Sequence, residues 1–179
     1  MASANFLPAR GESVVLADSA AGPSLPMPLD ERVERAFGRN DLALLDGIAR
    51  IVISPGVPLS IPLLQAADEA KIPIIGEIEL AWRHLQGTVI AITGSNGKST
   101  TTALIGEIMK VAGRQPIVAG NIGEPLIAAL DPERPRTYVI ELSSFQLETV
   151  DTFHANVALL LNVTPDHMDR YPSLDAYTA

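Results

Sequence analysis

The chain has 179 residues, 47% hydrophobic and 19% charged, a size and balance that give one large or two small folded domains rather than a disordered polymer. Thirteen Lys and Arg stand against 21 Asp and Glu, a net charge of -8, which excludes a broad basic face for a nucleic-acid backbone or an anionic membrane. The absence of cysteine excludes disulfides and thiolate metal sites and suits a reducing cytoplasm.

In chain order, the N-terminus lacks the basic start and apolar run of a secretory signal. Phe6-Leu7 reads as the tail of a helix and Val14 to Ala17 as a strand leading to Asp18. A proline-rich loop, Pro23 to Pro28, precedes a helical pattern over Leu29 to Phe37. Ile51 to Ile53 reads as a strand. The charge-free stretch from Ile51 to Ala67 is broken by Pro55, Pro58 and Pro62 and falls short of the roughly 20 apolar residues of a membrane span. A helix over Leu63 to Ala70, a strand over Ile72 to Ile75 and a helix over Glu77 to Leu85 follow, and a boundary at Gln86-Gly87 divides the chain into residues 1–86 and 87–179.

The second part opens with a strand at Val89 to Ile92. Its first helix spans Thr100 to Ala112, with Leu104, Ile105, Ile108, Met109 and Ala112 on one stripe and Gly113 as its stop. A further helix is expected over Ile122 to Leu130, and strands over Tyr138 to Leu142 and Val157 to Leu161. Apolar runs without polar alternation suit strands buried on both faces. Their alternation with helices predicts an α/β fold with a mostly parallel sheet.

The segment Gly94-Ser95-Asn96-Gly97-Lys98-Ser99-Thr100 lies between an apolar strand and an amphipathic helix. Two glycines let backbone N–H groups turn toward one anion, the helix presents its positive end, Lys98 adds a point charge, and the Ser99 hydroxyl suits a magnesium ion. This predicts nucleotide binding, although the longer GxxxxGK[ST] pattern fails because its first glycine would fall at Ile92. Guanine specificity is excluded, since Asn162-Val163-Thr164-Pro165-Asp166 lacks the lysine of an Asn-Lys-x-Asp reader. Glu141 ends a buried-type strand, where an acid can hold Mg²⁺ beside a nucleotide or simply be solvated or salt-bridged. Ser143, Ser144 and Gln146 follow it and suit either a polar ligand or a helix N-cap. Asp166, His167 and Asp169 cluster past the last strand, as a polar loop or a metal site.

Together these segments resemble the Mur ligases, the ATP-dependent amide-bond-forming enzymes of peptidoglycan precursor synthesis. The match runs through Gly120-Asn121-Ile122-Gly123, Glu141 to Glu148 and Leu161 to Tyr171, and in the first part through Ser54-Pro55-Gly56-Val57 and Gly76-Glu77-Ile78-Glu79-Leu80. Within the family the stretch after Glu141 is similar to that of the branch adding D-glutamate to UDP-N-acetylmuramoyl-L-alanine. The resemblance implies a truncated Rossmann-like substrate-binding domain over 1–86 and a partial P-loop-type ATP-binding domain over 87–179. It also implies ATP and Mg²⁺ as cofactors, two small-molecule substrates, a cytoplasmic location and a monomer. By matched motif, Gly94 to Thr100 would bind ATP, with Lys98, Glu141 and His167 catalytic. Ser99, Glu141 and His167 would hold metal, and Asp18, Ser19, Asn121, Ser143 and Gln146 would contact the UDP-muramoyl substrate.

By the same resemblance the chain is expected to begin in the helix after the first glycine-rich loop, and no lysine follows Lys110. An internal fragment is therefore expected, inactive alone and with open sheet edges prone to aggregation. The alternatives are a catalytically dead nucleotide-binding fragment and a generic P-loop ATPase.

Overall fold

The computed structural model describes every residue except Asp169, Pro172 and Ala179. The elements run α1 (Ala2–Phe6), β1 (Val14–Asp18), β2 (Val33–Phe37), β3 (Ile51–Ile53), α2 (Pro62–Glu69), β4 (Ile74–Gly76), α3 (Glu77–Trp82), β5 (Gly87–Thr93), α4 (Lys98–Val111), β6 (Ile117–Gly120), β7 (Arg136–Glu141), α5 (Ser144–Leu147), β8 (Val157–Leu160) and α6 (Leu174–Thr178). All named strand pairs are parallel: β1 with β2, β3 with β4, and a four-stranded sheet in the order β6-β7-β5-β8. The protein is thus α/β, as the alternating runs predict.

The core gathers where strands are covered on both faces. Val89 and Ile92 of β5 and Tyr138, Val139 and Ile140 of β7 are fully buried, as are Ile78 and Leu80 of α3 and Leu126 and Ile127. β7 lies between β6 and β5, which is why its run carries no polar alternation until Glu141. At the Tyr138 hydroxyl, the Asp131 amide donates a hydrogen bond of 3.0 Å, so this buried ring keeps its polar tip satisfied.

Several expected elements differ. The helical pattern over Leu29 to Phe37 ends in strand β2. Asp30 accepts a hydrogen bond from the Arg32 amide at 2.9 Å, and Val33 then pairs with Val14. Leu29, Val33 and Ala36 can point inward from either conformation, and pairing with β1 decides between them. Instead of a helix, residues 122–130 form turns around Pro125. There the Ile127 amide donates to Glu77 Oε1 at 2.5 Å rather than to a helical carbonyl. Strand β6, Ile117–Gly120, was not among the expected elements.

The stripe expected on α4 is rotated. Thr102 and Gly106 are the buried positions, while Leu104 and Ile108 are 56% and 57% exposed. A Cβ at Gly106 would come within 2.7 Å of Val118 Cγ2, so the helix seats on its small-residue face to approach β6 closely. Gly113 does end α4, at φ 73° with its amide donating to the Lys110 carbonyl.

Candidate active site

The register sets the site. Ile92 of β5 and Gly120 of β6 both stand opposite Glu141 of β7, and Thr93 stands opposite Leu160 of β8. The four carboxyl ends therefore share one rim, the place where open parallel sheets bind ligands. The loops leaving them carry Gly94 to Ser99, Asn121, Ser143 to Gln146, and residues 161–171.

The candidate phosphate loop, Gly94 to Ser99, is braced from β8. Gly94 sits at φ 137°, and a Cβ there would lie 2.9 Å from the Asn162 carbonyl oxygen, so only glycine lets the two loops touch. The Ser95 amide donates to that carbonyl at 3.0 Å, and the Asn96 amide to Asn162 Oδ1 at 2.9 Å. Ser95, itself buried, donates its hydroxyl to the Thr164 carbonyl at 2.8 Å and accepts from the Thr164 amide at 2.9 Å. Tyr177 Oη lies 3.2 Å from the same oxygen. With those loop amides engaged, the N–H groups left to meet an anion are the first of α4, which have no intrahelical partner. Lys98 Nζ lies across the loop, donating to the carbonyls of Gly94 (2.6 Å) and Ser95 (3.1 Å), while Ser99 and Thr100 are exposed on the first turn.

Glu141 is 1% exposed. Its Oε1 accepts from Asn121 Nδ2 at 2.7 Å, and its main-chain carbonyl accepts from the Asn121 amide at 2.9 Å. Its Oε2 is buried with no hydrogen-bond partner among the described residues. An unmatched carboxylate oxygen in the interior is costly, and a divalent cation would satisfy it. A carboxylate and the Ser99 hydroxyl are the hard oxygen donors that magnesium takes alongside water and phosphate, so this part of the donor set fits the ion.

His167 lies elsewhere on the rim, in the left-handed region at φ 53°. Its ring packs on Phe145 with centroids 4.7 Å apart, and its Nε2 is 3.7 Å from Asp166 Oδ2. Among the described residues no three His, Asp or Glu side chains come together to hold a metal; Asp169, the third member of the expected cluster, lies outside them. Arg170 stacks over Phe145 at 4.4 Å and pairs with Glu148 at 2.5 Å, and the Tyr171 hydroxyl also bonds Glu148.

Below the rim lies a cleft of about 780 Å³, lined mostly by residues that precede Gly87. Val14, Arg50, Val52 and Pro55 line it on one side, with Asn121 and Gln146 on the other. Ser143 is the N-cap of α5: its hydroxyl accepts from the Gln146 amide at 3.3 Å, and Gln146 Oε1 accepts from the Ser143 amide at 2.9 Å. The capping alternative read from the sequence is therefore realised, and Gln146 also lines the cleft. Asp18 and Ser19 are exposed at the end of β1 and do not line it; Asp18 Oδ1 accepts from the Ala20 amide at 2.8 Å. Sequence reasoning missed the brace formed by Asn162, Thr164 and Tyr177. Its only signal was the density of hydrogen-bonding residues after the last strand.

Residues 92–179 match the model of the Mur ligase middle domain, and residues 1–76 that of the Mur ligase MurD-like N-terminal domain. The chain is 46% identical over 180 residues to the UDP-N-acetylmuramoylalanine--D-glutamate ligase of Nitrosococcus oceani, covering 99% of this chain and 40% of the relative. Identity to the ligase of the same name from Desulfatibacillum aliphaticivorans is 45% over 183 residues, covering 99% and 41%. The chain thus spans about two fifths of the length of these curated relatives. Among solved structures, the UDP-N-acetylmuramate:L-alanyl-gamma-D-glutamyl-meso-diaminopimelate ligase from Neisseria meningitides superposes with a TM-score of 0.55 at 21% identity, covering 97% of this chain and 60% of that one. That likeness bears on the fold alone.

Proposed function

We propose, from the premise that this chain belongs to the Mur ligase family, that its rim and cleft serve ATP-dependent addition of D-glutamate to UDP-N-acetylmuramoyl-L-alanine in peptidoglycan precursor synthesis. The observation that carries the reading is the parallel register, which sets the phosphate loop, Asn121 and the half-satisfied Glu141 on one rim above the cleft. A carboxylate is a poor electrophile, so amide formation needs activation. In the proposed reaction an oxygen of the L-alanyl carboxylate attacks the γ-phosphorus of ATP, ADP departs, and an acyl phosphate forms. The amine of D-glutamate then attacks the acyl carbon, inorganic phosphate leaves, and the amine loses a proton.

In this reading the amides at the start of α4 orient the phosphates, and Lys98 swings from its loop carbonyls to neutralise them as they pass charge to the leaving ADP. Ser99 and Glu141 would hold a magnesium ion, which supplies charge neutralisation at the phosphate oxygens. His167, fixed against Phe145, is proposed as a further rim contact to the transferred phosphoryl group or its metal. Gln146 and Asn121 would face the muramoyl end from the cleft wall, with Ser143 seating Gln146 through the α5 cap, and Asp18 and Ser19, which stand outside the cleft, are proposed for the uridine end.

Calorimetry with the purified chain tests the reading. Binding of both ADP with Mg²⁺ and UDP-N-acetylmuramoyl-L-alanine is expected, the latter alone weakened by Gln146→Ala. A generic nucleotide hydrolase would bind ADP and ignore the UDP ligand, which would overturn the assignment. A second reading, binding without turnover, is separated from the first by a direct assay. It predicts no phosphate release from ATP on mixing with both substrates, and measurable ligation would remove it.

A further inference from the structure

Glu79 of α3 has a side chain with 0% exposure, and the proposed chemistry makes no use of it. Its Oε2 accepts from three consecutive backbone amides, those of Asp151 (2.9 Å), Thr152 (3.0 Å) and Phe153 (3.0 Å). Its Oε1 accepts from the Thr152 hydroxyl at 2.6 Å and from Arg83 Nε at 2.8 Å. Three successive amides facing one point make an anion-binding concavity, filled here by a carboxylate from more than 70 positions earlier in the chain. Hydrogen bonds to an ionised acceptor are the stronger class, and five converge on this one group.

The joint has further contacts around it. The Gly76 amide donates to the Thr149 carbonyl at 3.0 Å, and Glu77 accepts the Ile127 amide. A Cβ at Gly76 would collide with the Thr149 hydroxyl, and Trp82 packs edge-on against Phe153 with centroids 5.6 Å apart.

We infer that Glu79 is a positioning residue that holds the two walls of the cleft at a fixed separation. The mechanical path is continuous. β3, whose Val52 lines one wall, is hydrogen-bonded to β4, and β4 runs directly into α3. Glu79 ties α3 to residues 151–153, which follow α5 and its Gln146 on the opposite wall. No strand before Gly87 pairs with one after it among the described residues, so the sheets do not fix this separation. A ligand touching both walls therefore binds a preorganised cleft while Glu79 is ionised and seated. The link to substrate binding rests on the function proposed above; the mechanical role of Glu79 does not.

The test uses the full chain. It has no native cysteine, so nitroxide labels on Leu59→Cys and Val111→Cys report the distance between the two parts. Both positions are exposed. One narrow distance distribution is expected with Glu79 intact and a broad one with Glu79→Ala, together with loss of exchange protection at the 151–153 amides. Glu79→Gln keeps the acceptor oxygen and should recover part of the narrowing. Affinity for UDP-N-acetylmuramoyl-L-alanine should fall tenfold or more in Glu79→Ala while ADP affinity stays within twofold. A narrow distribution in Glu79→Ala, or equal losses for both ligands, would overturn the inference. If Glu79→Ala does not fold, Thr152→Val removes one donor and must broaden the distribution to a lesser degree, or the inference fails. If the intact chain binds no UDP ligand yet the distances respond as stated, the functional reading fails and the joint stands.

Discussion

Lys98 and Asn121 stand on the same rim with different partners, and single substitutions separate the roles proposed for them. Lys98 reaches two loop carbonyls in the structure; with nucleotide bound, its ammonium would exchange them for phosphate oxygens. A hydrogen bond to a charged partner contributes about 1.5–3 kcal/mol, roughly tenfold to a hundredfold in affinity. Lys98→Ala should therefore weaken ADP binding by that factor, measured calorimetrically at fixed magnesium, without lowering the urea midpoint. Asn121 acts on Glu141, whose Oε1 it holds while Oε2 has no partner among the described residues. Removing such an outer partner costs about 10–100-fold in metal affinity. Asn121→Ala should weaken Mn²⁺ binding to the nucleotide-loaded chain in that range, read from the free-ion resonance signal. Unchanged Mn²⁺ affinity would mean that Glu141 does not depend on this bond for its orientation.

At the scale of elements, α4 distinguishes what periodicity can and cannot reveal. Its existence, its stop at Gly113 and its place after the phosphate loop follow from local chemistry. Its orientation does not, because Gly106 has no side chain to score as apolar yet allows the closest approach to Val118. Gly106→Val should destabilise the fold by about 1–3 kcal/mol through overpacking, whereas Ile108→Gln, at a position 57% exposed, should change it by no more than about 0.5 kcal/mol. Urea titrations of the two variants test this, and the opposite ranking would restore the apolar stripe as the packed face. The same limit explains β2: Leu29, Val33 and Ala36 fit a helix locally, and only the partner strand β1 shows otherwise. Part of the rim was legible. Gly94 to Thr100 and Glu141 stand at strand ends that the apolar runs mark, and parallel pairing brings those ends together; Asn121 follows β6, which no expected run marked, and only the family resemblance singled it out. The brace from Asn162, Thr164 and Tyr177 was not legible, since spacing along the chain carries no information about which loops touch.

Across the whole molecule, two acids two residues apart on α3 respond to pH in opposite senses. Burial by itself would raise the Glu79 carboxyl, but the Thr152 hydroxyl, the Asp151 amide and Arg83 outweigh it and hold the group at about 2. A carboxyl depressed on folding contributes stability that is complete above its unfolded value, near 4.5, and is lost as pH falls through the folded value. Burial pushes Glu77 up, only partly opposed by the Ile127 amide. That group favours the folded state below about 4.5 and withdraws its contribution as pH rises through its raised value. Lowering pH toward the isoelectric point, about 4.8, also relieves the self-repulsion of a chain with net charge -8 at pH 7, and below it repulsion returns with positive sign. Comparing Glu79→Gln with Glu77→Gln cancels this background, because each removes one negative charge. Urea midpoints measured from pH 3 to pH 7 should show the intact chain losing stability below pH 4.5, and a flatter acid limb in Glu79→Gln with a lower plateau at neutral pH. Glu77→Gln, which still accepts the Ile127 amide, should keep the acid limb and match or exceed the intact chain at pH 7. Parallel acid limbs in the intact chain and Glu79→Gln would show that the seated carboxylate is not what acid releases.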